Sequence, residues 1–243
     1  MSTKNKKYAL ITGASRGIGK AITKELAAQG YDLYLTCEKN TALLQSDADT
    51  LSSEYGIHCV CFGGDLGNSS YVDEIFQQIT SLDVLINCAG IAHIGLLQDM
   101  TDEEWHHVMR TNVDSVFYTC RKAIPLMLAQ GNGCIINISS VWGITGASME
   151  TAYSASKGAV NALTKALGKE LAPSHIRVNA IACGLIDTEM NNHLSSEELQ
   201  EIISEIPADR IGKPEEVASL VLHLIHAPEY LTGQIITMDG GWI

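Results

Sequence analysis

Short apolar runs alternate along this chain with longer stretches of helical periodicity, and this pattern most limits how the chain can fold. The runs are nearly continuous in apolar residues, which is typical of strands buried on both faces of a sheet. They predict seven strands, at residues 8–12, 32–36, 58–62, 84–87, 134–139, 177–181 and 234–238. Helices are predicted at residues 17–29, 69–79, 101–129, 151–171 and 214–226. This order predicts an α/β fold of the Rossmann type, a doubly wound parallel sheet with helices on both faces.

The chain offers no obvious place to divide. Its 243 residues contain no repeat and no linker rich in Gly, Ser or Pro, so one domain is predicted over residues 1–243. The segment 186–207 follows the sixth predicted strand and is polar and rich in Asn and Ser. We expect this segment to be a lid over a ligand.

The charge balance excludes several classes of partner. The chain carries 16 Lys and Arg against 28 Asp and Glu, a formal net charge of −12. Nucleic acid and anionic membrane surfaces are not expected partners, because both require clustered basic residues. No apolar stretch is long enough for a membrane span. Seven cysteines, an odd number, without an export signal predict reduced thiols in the cytoplasm.

A metal site is not expected either. Cys59 and Cys61 lie next to His58, but this run is a predicted strand, in which alternate residues point to the same face. No second ligand pair stands at a zinc-like spacing. The two cysteines are therefore interpreted as core residues.

A glycine-rich turn joins the first predicted strand to the first predicted helix. Gly13, Gly17 and Gly19 allow a tight turn and a close approach of the backbone to a phosphate. The helix that follows offers free N–H groups and a partial positive charge. The turn therefore predicts a dinucleotide-binding loop.

Tyr153 and Lys157 stand four residues apart on a predicted helix and so share a face. A free tyrosine has a pKa of about 10, and a neighbouring cation is expected to lower it. Ser140 ends the fifth predicted strand, at the edge where α/β sheets bind ligands, and its hydroxyl can hold a substrate oxygen. These three residues predict the interconversion of a ketone and a secondary alcohol, with Tyr153 as proton donor or acceptor.

The chain resembles the classical short-chain dehydrogenase/reductase family over nearly its whole length. The resemblance rests on the Gly-x3-Gly-x-Gly loop, on Asn87-Cys88-Ala89-Gly90, on Ser140 with Tyr153-x3-Lys157, and on Asp239-Gly240-Gly241. It implies that Asn112 completes the catalytic set by anchoring a water next to Lys157. It also implies a set of cofactor contacts: Gly13, Ser15, Arg16, Gly17, Ile18, Gly19, Cys37, Asp65, Leu66, Asn87, Ala89, Gly90, Tyr153, Lys157, Ile186 and Thr188.

The resemblance also bears on the choice between NADP and NAD. Arg16 stands where NADP-dependent relatives often carry a basic residue, and Cys37 replaces the Asp that is typical of NAD-dependent relatives. Glu38 would repel a 2′-phosphate, whereas Lys39 would attract one. NADP is the predicted cofactor, with NAD as the alternative.

Within the family, the chain is most similar to 3-oxoacyl-[acyl-carrier-protein] reductases, to judge from its length and the run 206–212. Such reductases dock an acidic carrier protein on basic residues, but the matching positions here hold Gly131, Cys134 and Ser174. The net charge of −12 also opposes an acidic partner. Another basic patch is conceivable at Lys165, Lys169 and Arg177.

Other substrates therefore remain open: a hydroxysteroid, a sugar or polyol, a coenzyme A thioester or another free ketone. A binding protein or sensor without turnover is a further alternative. His93 and Trp142 are expected near the substrate, whereas His106 and His107 are expected on a helix surface or interface. The resemblance implies a homotetramer.

Overall fold

The computed structural model describes residues 6–243 and contains a seven-stranded, wholly parallel sheet. Its strands lie in the order β3-β2-β1-β4-β5-β6-β7. This confirms the predicted doubly wound α/β fold. The strands are β1 (Tyr8–Ile11), β2 (Asp32–Cys37), β3 (Cys59–Gly63), β4 (Val84–Asn87), β5 (Gly133–Ser140), β6 (Ile176–Cys183) and β7 (Ile235–Met238).

Helices cover both faces of the sheet. They are α1 (Gly17–Ala28), α2 (Thr41–Tyr55), α3 (Ser69–Phe76), α4 (Asp102–Met109), α5 (Ser115–Gln130), α6 (Trp142–Thr145), α7 (Thr151–Leu171), α8 (Ser196–Glu205) and α9 (Pro214–Ile225). A π-helical turn, Arg110–Asp114, joins α4 to α5. No helix within residues 6–243 combines the length and the apolar character needed to cross a bilayer.

Two apolar layers hold the helices against the sheet, one on each face. Successive residues of β1 divide between them, because side chains alternate across a strand. Ala9 and Ile11 pack in the layer that contains α1, α2 and α9, whereas Leu10 packs in the layer that contains α3, α5 and α7. All three side chains are at most 1% exposed. This two-sided burial explains why the strand sequences are nearly continuous in apolar residues.

The strand order reverses next to β1, which pairs with β2 on one side and with β4 on the other. The chain leaves β1 toward α1 on one face of the sheet, and it leaves β4 toward α5 on the other face. A crevice therefore opens between β1 and β4 at their carboxyl ends, and such switch points are where open α/β sheets bind ligands. The fold therefore places the glycine-rich loop after β1 at the centre of a potential site.

Three parts of the helical prediction were incomplete. Helix α2 was not predicted, because it buries only Leu44, Ala48 and Leu51 among fifteen mostly polar residues. The single helix expected at 101–129 is divided by the π turn, which apolar periodicity did not distinguish from a continuous α-helix. The segment 186–207 contains α8, which begins at a capping box formed by Ser195 and Glu198.

The cysteines next to His58 lie on the edge strand β3. The thiol of Cys61 contacts the carbonyl oxygen of Leu44 at 3.8 Å, and both Cys59 and Cys61 pack against the apolar layer on the α2 face. Within residues 6–243, no group of three or more His, Cys, Asp or Glu side chains is arranged to hold a metal ion.

Candidate active site

A cleft of about 610 Å³ runs along the carboxyl edge of the sheet. It brings together residues from the glycine-rich loop, from the ends of β2 to β6 and from helix α7. Most of the residues that the sequence assigned to catalysis or cofactor binding line it: Gly13, Ser15, Arg16, Gly17, Ile18, Gly19, Cys37, Asp65, Leu66, Ala89, Gly90, Ser140, Tyr153, Lys157, Ile186 and Thr188. Asn87 and Asn112 do not line the cleft but lie behind its wall.

The loop after β1 has the geometry of a phosphate cradle. Gly13 adopts φ 67°, and a Cβ atom there would lie 2.9 Å from the Cα atom of Ala89. Only glycine fits this close approach. No side chain caps the amino end of α1, so its first N–H groups remain free to bind an anion. A dinucleotide pyrophosphate therefore fits this end of the cleft.

Thr12 fixes the loop against the neighbouring strand. Its hydroxyl accepts hydrogen bonds from the backbone N–H groups of Cys88, at 2.9 Å, and of Ala89, at 3.0 Å. The side chain is 2% exposed. This contact sets the width of the cleft between the loops after β1 and β4.

Asn112 occupies the π-helical turn and holds the wall of the cleft. Its Oδ1 atom accepts from the N–H of Ile91 at 2.8 Å, and its Nδ2 atom donates to the carbonyl of Ile91 at 2.8 Å. Nδ2 also donates to the Ser156 hydroxyl at 2.9 Å. The extra backbone residue of a π turn is a common way to place a functional side chain. Asn112 thereby links the turn, the loop after β4 and helix α7.

Asn87 has a different environment from the one that the family resemblance implies. Its amide donates to Oδ1 of Asn137 at 2.9 Å and accepts from the hydroxyl of Thr119 at 2.8 Å. Asn137 in turn donates to the hydroxyl of Thr164 at 2.8 Å. This buried chain of amides and hydroxyls ties β4 and β5 to α5 and α7 beneath the cleft. The Asn87 side chain thus supports the floor of the site and does not face the cofactor region.

Tyr153 and Lys157 lie together on α7, opposite the end of β5. The Lys157 ammonium donates to the carbonyl of Ile138 at 2.8 Å and lies 5.6 Å from the centre of the Tyr153 ring. The two side chains are 9% and 5% exposed. The Ser140 hydroxyl accepts from the N–H of Trp142 at 3.2 Å. Ser140, Tyr153 and Lys157 therefore meet at one end of the cleft, whereas Asn112, the fourth predicted catalytic residue, lies behind its wall.

Burial dominates the protonation of this pair. It raises the pKa of Tyr153 well above its usual value, while the Ser140 hydroxyl lowers it and the nearby Cys183, Glu150 and Cys88 raise it further. Burial also lowers the pKa of Lys157. The expected lowering of the tyrosine pKa by Lys157 is thus not found in the protein alone. A neutral tyrosine is suited to donate a proton, which is the role required in ketone reduction.

Two thiols flank the catalytic pair. Burial raises the pKa of Cys88 and that of Cys183 to about 12 in each case. Both thiols are therefore neutral near pH 7. Near neutral pH they add no charge next to Tyr153, and they raise its pKa further only at the alkaline pH at which they ionise.

The other end of the cleft presents the groups that would meet an adenosine. Arg16 is exposed and donates to the Glu189 carboxylate at 2.9 Å, so the loop after β1 contacts segment 186–207. Cys37 is 5% exposed, and burial raises its pKa. A neutral thiol cannot replace a carboxylate as acceptor for a ribose diol. Glu38 and Lys39 also line this end.

The cofactor contact implied for Asp65 is compatible with its position in the cleft wall. The carboxylate accepts from the N–H of Gly67 at 2.8 Å and lies 3.6 Å from the guanidinium of Arg110. Two further implied cofactor contacts lie on segment 186–207: Ile186 pairs with Gly212 in a β bridge, and Thr188 lies against Gly17. The residues at both ends of the cleft therefore fit a nicotinamide dinucleotide.

Several residues near the substrate end were not identified from the sequence. Glu150, His193 and Trp242 line the cleft together with Trp142, which was expected there. Trp142 and Trp242 pack edge to face with ring centres 4.9 Å apart. The only signal for Glu150 is its position three residues before Tyr153, whereas Trp242 is the penultimate residue and carries no local signal.

The expectations for the histidines were only partly right. His107 is exposed on α4, as expected for a helix surface, but it also lines the cleft. His106 is exposed and does not line the cleft, and neither does His93, which was expected near the substrate. His93 lies instead beside Gly95, whose Cβ atom would be 3.3 Å from the imidazole Nε2.

The alternative basic patch suggested by the sequence does not form. Arg177 is 9% exposed, and its guanidinium donates to the carbonyls of Leu224 and Ile225 at 2.6 and 2.7 Å. It therefore caps the carboxyl end of α9 and is not available to a partner. Cys134, at one of the three docking positions compared, is buried in β5.

Known proteins share this architecture and its sequence motifs. The sequence profile of the short chain dehydrogenase family matches residues 7–199. An uncharacterized oxidoreductase of Bacillus subtilis, YmfI, is 40% identical over 238 residues, covering 97% of this chain and 98% of the relative. The 3-oxoacyl-[acyl-carrier-protein] reductase FabG of Thermotoga maritima is 39% identical over 240 residues, covering 98% of each chain.

A solved structure agrees with these sequence relatives. A short-chain type dehydrogenase/reductase from Mycobacterium marinum superposes with a TM-score of 0.90 at 35% identity, covering 97% of this chain and 95% of that one. The prediction of the family from the loop, the Ser140 position and the Tyr153-x3-Lys157 motif is therefore confirmed. The chain is an oxidoreductase that belongs to the short-chain dehydrogenase family.

Proposed function

We propose that the protein is an NADP-dependent ketoreductase that reduces a ketone to a secondary alcohol. The observation that carries this proposal is the meeting of Ser140, Tyr153 and Lys157 at one end of a cleft whose other end fits a dinucleotide. A bound nicotinamide dinucleotide would supply the hydride.

Each residue has a distinct part in the proposed reaction. The hydroxyl of Ser140 holds the substrate oxygen, and the phenol of Tyr153, kept neutral by burial, gives its proton to the developing alkoxide. The Lys157 ammonium stabilises the phenolate that remains. Asn112 fixes the loop at Ile91. By the family resemblance, it would also anchor a water that returns protons toward Lys157.

The preference for NADP over NAD rests on the adenosine end of the cleft. The guanidinium of Arg16 lies on an exposed loop where it can contact a 2′-phosphate. Cys37 supplies no carboxylate for the ribose diol. Titration of the protein with NADPH and with NADH, followed by fluorescence, tests this preference; tighter binding of NADH would contradict it.

The first candidate substrate is a 3-oxoacyl thioester of a carrier protein, by analogy with the FabG relatives. A second candidate is a small molecule that needs no carrier protein, such as a steroid, a sugar or polyol, a coenzyme A thioester or another free ketone. It is favoured by the docking positions Gly131, Cys134 and Ser174, none of which is basic. The net charge of −12 also opposes association with an acidic carrier protein.

A substrate screen separates these candidates. The protein would be mixed with NADPH or NADH and with acetoacetyl thioesters, ketosteroids and simple ketones, and cofactor consumption followed by absorbance. Hydroxysteroids would be tested in the oxidising direction, with NADP⁺ or NAD⁺. Consumption with an acetoacetyl thioester of the carrier protein supports the first candidate, and consumption only with free ketones supports the second. Cofactor binding without consumption across the whole panel would instead favour a sensor.

The proposed working form is a cytoplasmic homotetramer. Apolar side chains on α5 remain exposed in the single chain, Phe117 by 44% and Leu128 by 47%, as expected for a helix that packs against another copy. We further propose that segment 186–207, tied to the glycine-rich loop through Arg16 and Glu189, acts as the lid. Sedimentation of the purified protein tests the tetramer.

A further inference from the structure

The substrate end of the cleft contains a carboxylate that the proposed mechanism does not use. Glu150 immediately precedes α7, three residues before Tyr153, and lines the cleft with Trp142 and His193. Its side chain is partly buried. A charged group is costly to bury without partners, so its presence here calls for a role.

The other carboxylates along the described cleft are placed differently. Glu38 and Asp65 lie toward the adenosine end, next to the loops after β2 and β3, and Glu189 is paired with Arg16. Glu150 alone among them lies beside the catalytic tyrosine. The negative charge of Glu150 contributes to the raised pKa of Tyr153.

The partners of Glu150 leave part of its hydrogen-bonding capacity free. Burial raises the pKa of Glu150, and the imidazole of His193 and the indole of Trp142 offset this rise only in part by favouring the charged carboxylate. Trp242 does not contribute, because its indole N–H donates to Glu205 at 3.3 Å. An ionised carboxylate accepts at about four positions, so acceptor sites remain for a ligand.

We infer that Glu150 selects the substrate: it excludes ketones that carry an anionic group close to the carbonyl and favours neutral ketones that carry a hydrogen-bond donor. Two like charges within a few ångströms in a partly buried site repel strongly. A hydroxyl or amide N–H of the substrate can instead donate to the free carboxylate positions. The free 3-oxo acid is thus rejected, while its neutral ester, thioester or hydroxyketone counterpart is accepted. This inference rests on the proposed ketoreductase function.

A matched set of small ketones tests the selection. 2-Pentanone is the neutral reference, 4-hydroxy-2-butanone replaces its terminal methyl group by a hydroxyl, and acetoacetate places a carboxylate at the same end. The measured quantities are kcat/KM values with NADPH, each divided by the value for 2-pentanone. Ratios of this kind cancel general losses of activity or folded protein.

For the wild-type protein, we expect the hydroxyketone ratio to be about tenfold above unity and the acetoacetate ratio to be about tenfold below it. Glu150→Gln removes the charge at nearly constant shape, and we expect it to raise the acetoacetate ratio about tenfold. Glu150→Met removes the acceptor at similar length, and we expect it to reduce the hydroxyketone ratio to near unity.

The control is Glu201→Gln, which removes the same unit charge from an exposed position on α8 outside the cleft. Its ratios should match the wild type. Ratios that stay within about twofold of wild type in both Glu150 variants, while 2-pentanone is still reduced, would overturn the inference and leave the proposed function intact. Failure of the wild-type protein to reduce any of the three ketones or any acetoacetyl thioester would overturn the proposed function and the inference together.

Discussion

The amide of Asn112 binds both backbone groups of Ile91, accepting from its N–H and donating to its carbonyl, each at 2.8 Å. One side chain thereby fixes the loop that forms the wall of the cleft next to Lys157. The same amide reaches Ser156 on α7. Asn112, which does not itself line the cleft, therefore fixes the position of the loop after β4 relative to the catalytic helix α7.

We expect Asn112→Ala to lower both stability and activity. The variant leaves the two Ile91 groups and the Ser156 hydroxyl without this partner, at a cost of about 1–3 kcal/mol in the free energy of unfolding. Urea denaturation measures this loss, and kcat with a reducible ketone measures the effect on the site. Asn132→Ala removes an exposed amide that donates only to the Gln130 carbonyl, and it should change the free energy by less than about 0.5 kcal/mol. Equal stability of the two variants would contradict the role of Asn112.

Tyr153→Phe removes only the phenolic oxygen from the catalytic pair. We expect kcat to fall by about 10³-fold, because no other group at this position can give a proton to the alkoxide. The affinity for NADPH, measured by fluorescence titration, should change little. Tyr230→Phe is the matched control, since Tyr230 is fully exposed at 101% relative accessibility. Activity retained in Tyr153→Phe would exclude the proposed mechanism.

The sequence was sufficient for the features that depend on local periodicity. Nearly continuous apolar runs predicted the buried parallel strands, and the spacing of Tyr153 and Lys157 predicted a shared helix face. Other features depend on tertiary contacts that no short pattern encodes. Arg177 was expected in a surface patch, but its guanidinium is buried and donates to two carbonyls at the end of α9.

The substrate end of the cleft was the least predictable part of the site. Trp242 and Trp142 are separated by 100 positions in the sequence, yet their rings pack together. Glu150 precedes the first turn of α7, where a carboxylate is equally suited to an exposed helix start. Only the fold shows that it lines the cleft. The pKa of Tyr153 was expected to be lowered but is raised, because the neighbours of Tyr153 in the sequence do not show that its phenol is buried.

The ion pair between Arg16 and Glu189 should compete with cofactor binding. The guanidinium proposed to contact the 2′-phosphate is held at 2.9 Å by the carboxylate of segment 186–207. Glu189→Gln frees it, and we expect NADPH to bind about threefold more tightly at low salt, a small effect because both side chains are exposed. Arg16→Ala should weaken NADPH binding about tenfold and leave NADH nearly unchanged.

Fluorescence titrations at low and high salt measure these changes. Salt should reduce the gain in Glu189→Gln, because it screens exposed charges. Glu201→Gln again serves as the control for net charge, since Glu201 is exposed on α8 and, unlike Arg16, does not line the cleft. If Arg16→Ala weakens the binding of NADPH and of NADH by the same factor, Arg16 does not contact the 2′-phosphate.

Buried thiols make the folded protein sensitive to alkali. Burial raises the pKa of Cys120 to about 12 and that of Cys134 to about 11, from a reference value of 9.0. A thiol whose folded pKa is raised stabilises the fold fully below its unfolded pKa. The stabilisation is lost as pH rises from about 9 toward the folded value, because only the unfolded chain then releases the proton.

Each such thiol should therefore cost about 1 kcal/mol of the free energy of unfolding between about pH 8 and about pH 10. Urea denaturation under reducing conditions at these two pH values measures the total change. In Cys134→Ala the absolute stability should be lower, because a buried side chain is truncated, but the loss between the two pH values should be smaller by about 1 kcal/mol. The same pH dependence in the variant and the wild type would mean that Cys134 ionises as readily in the folded chain as in the unfolded one.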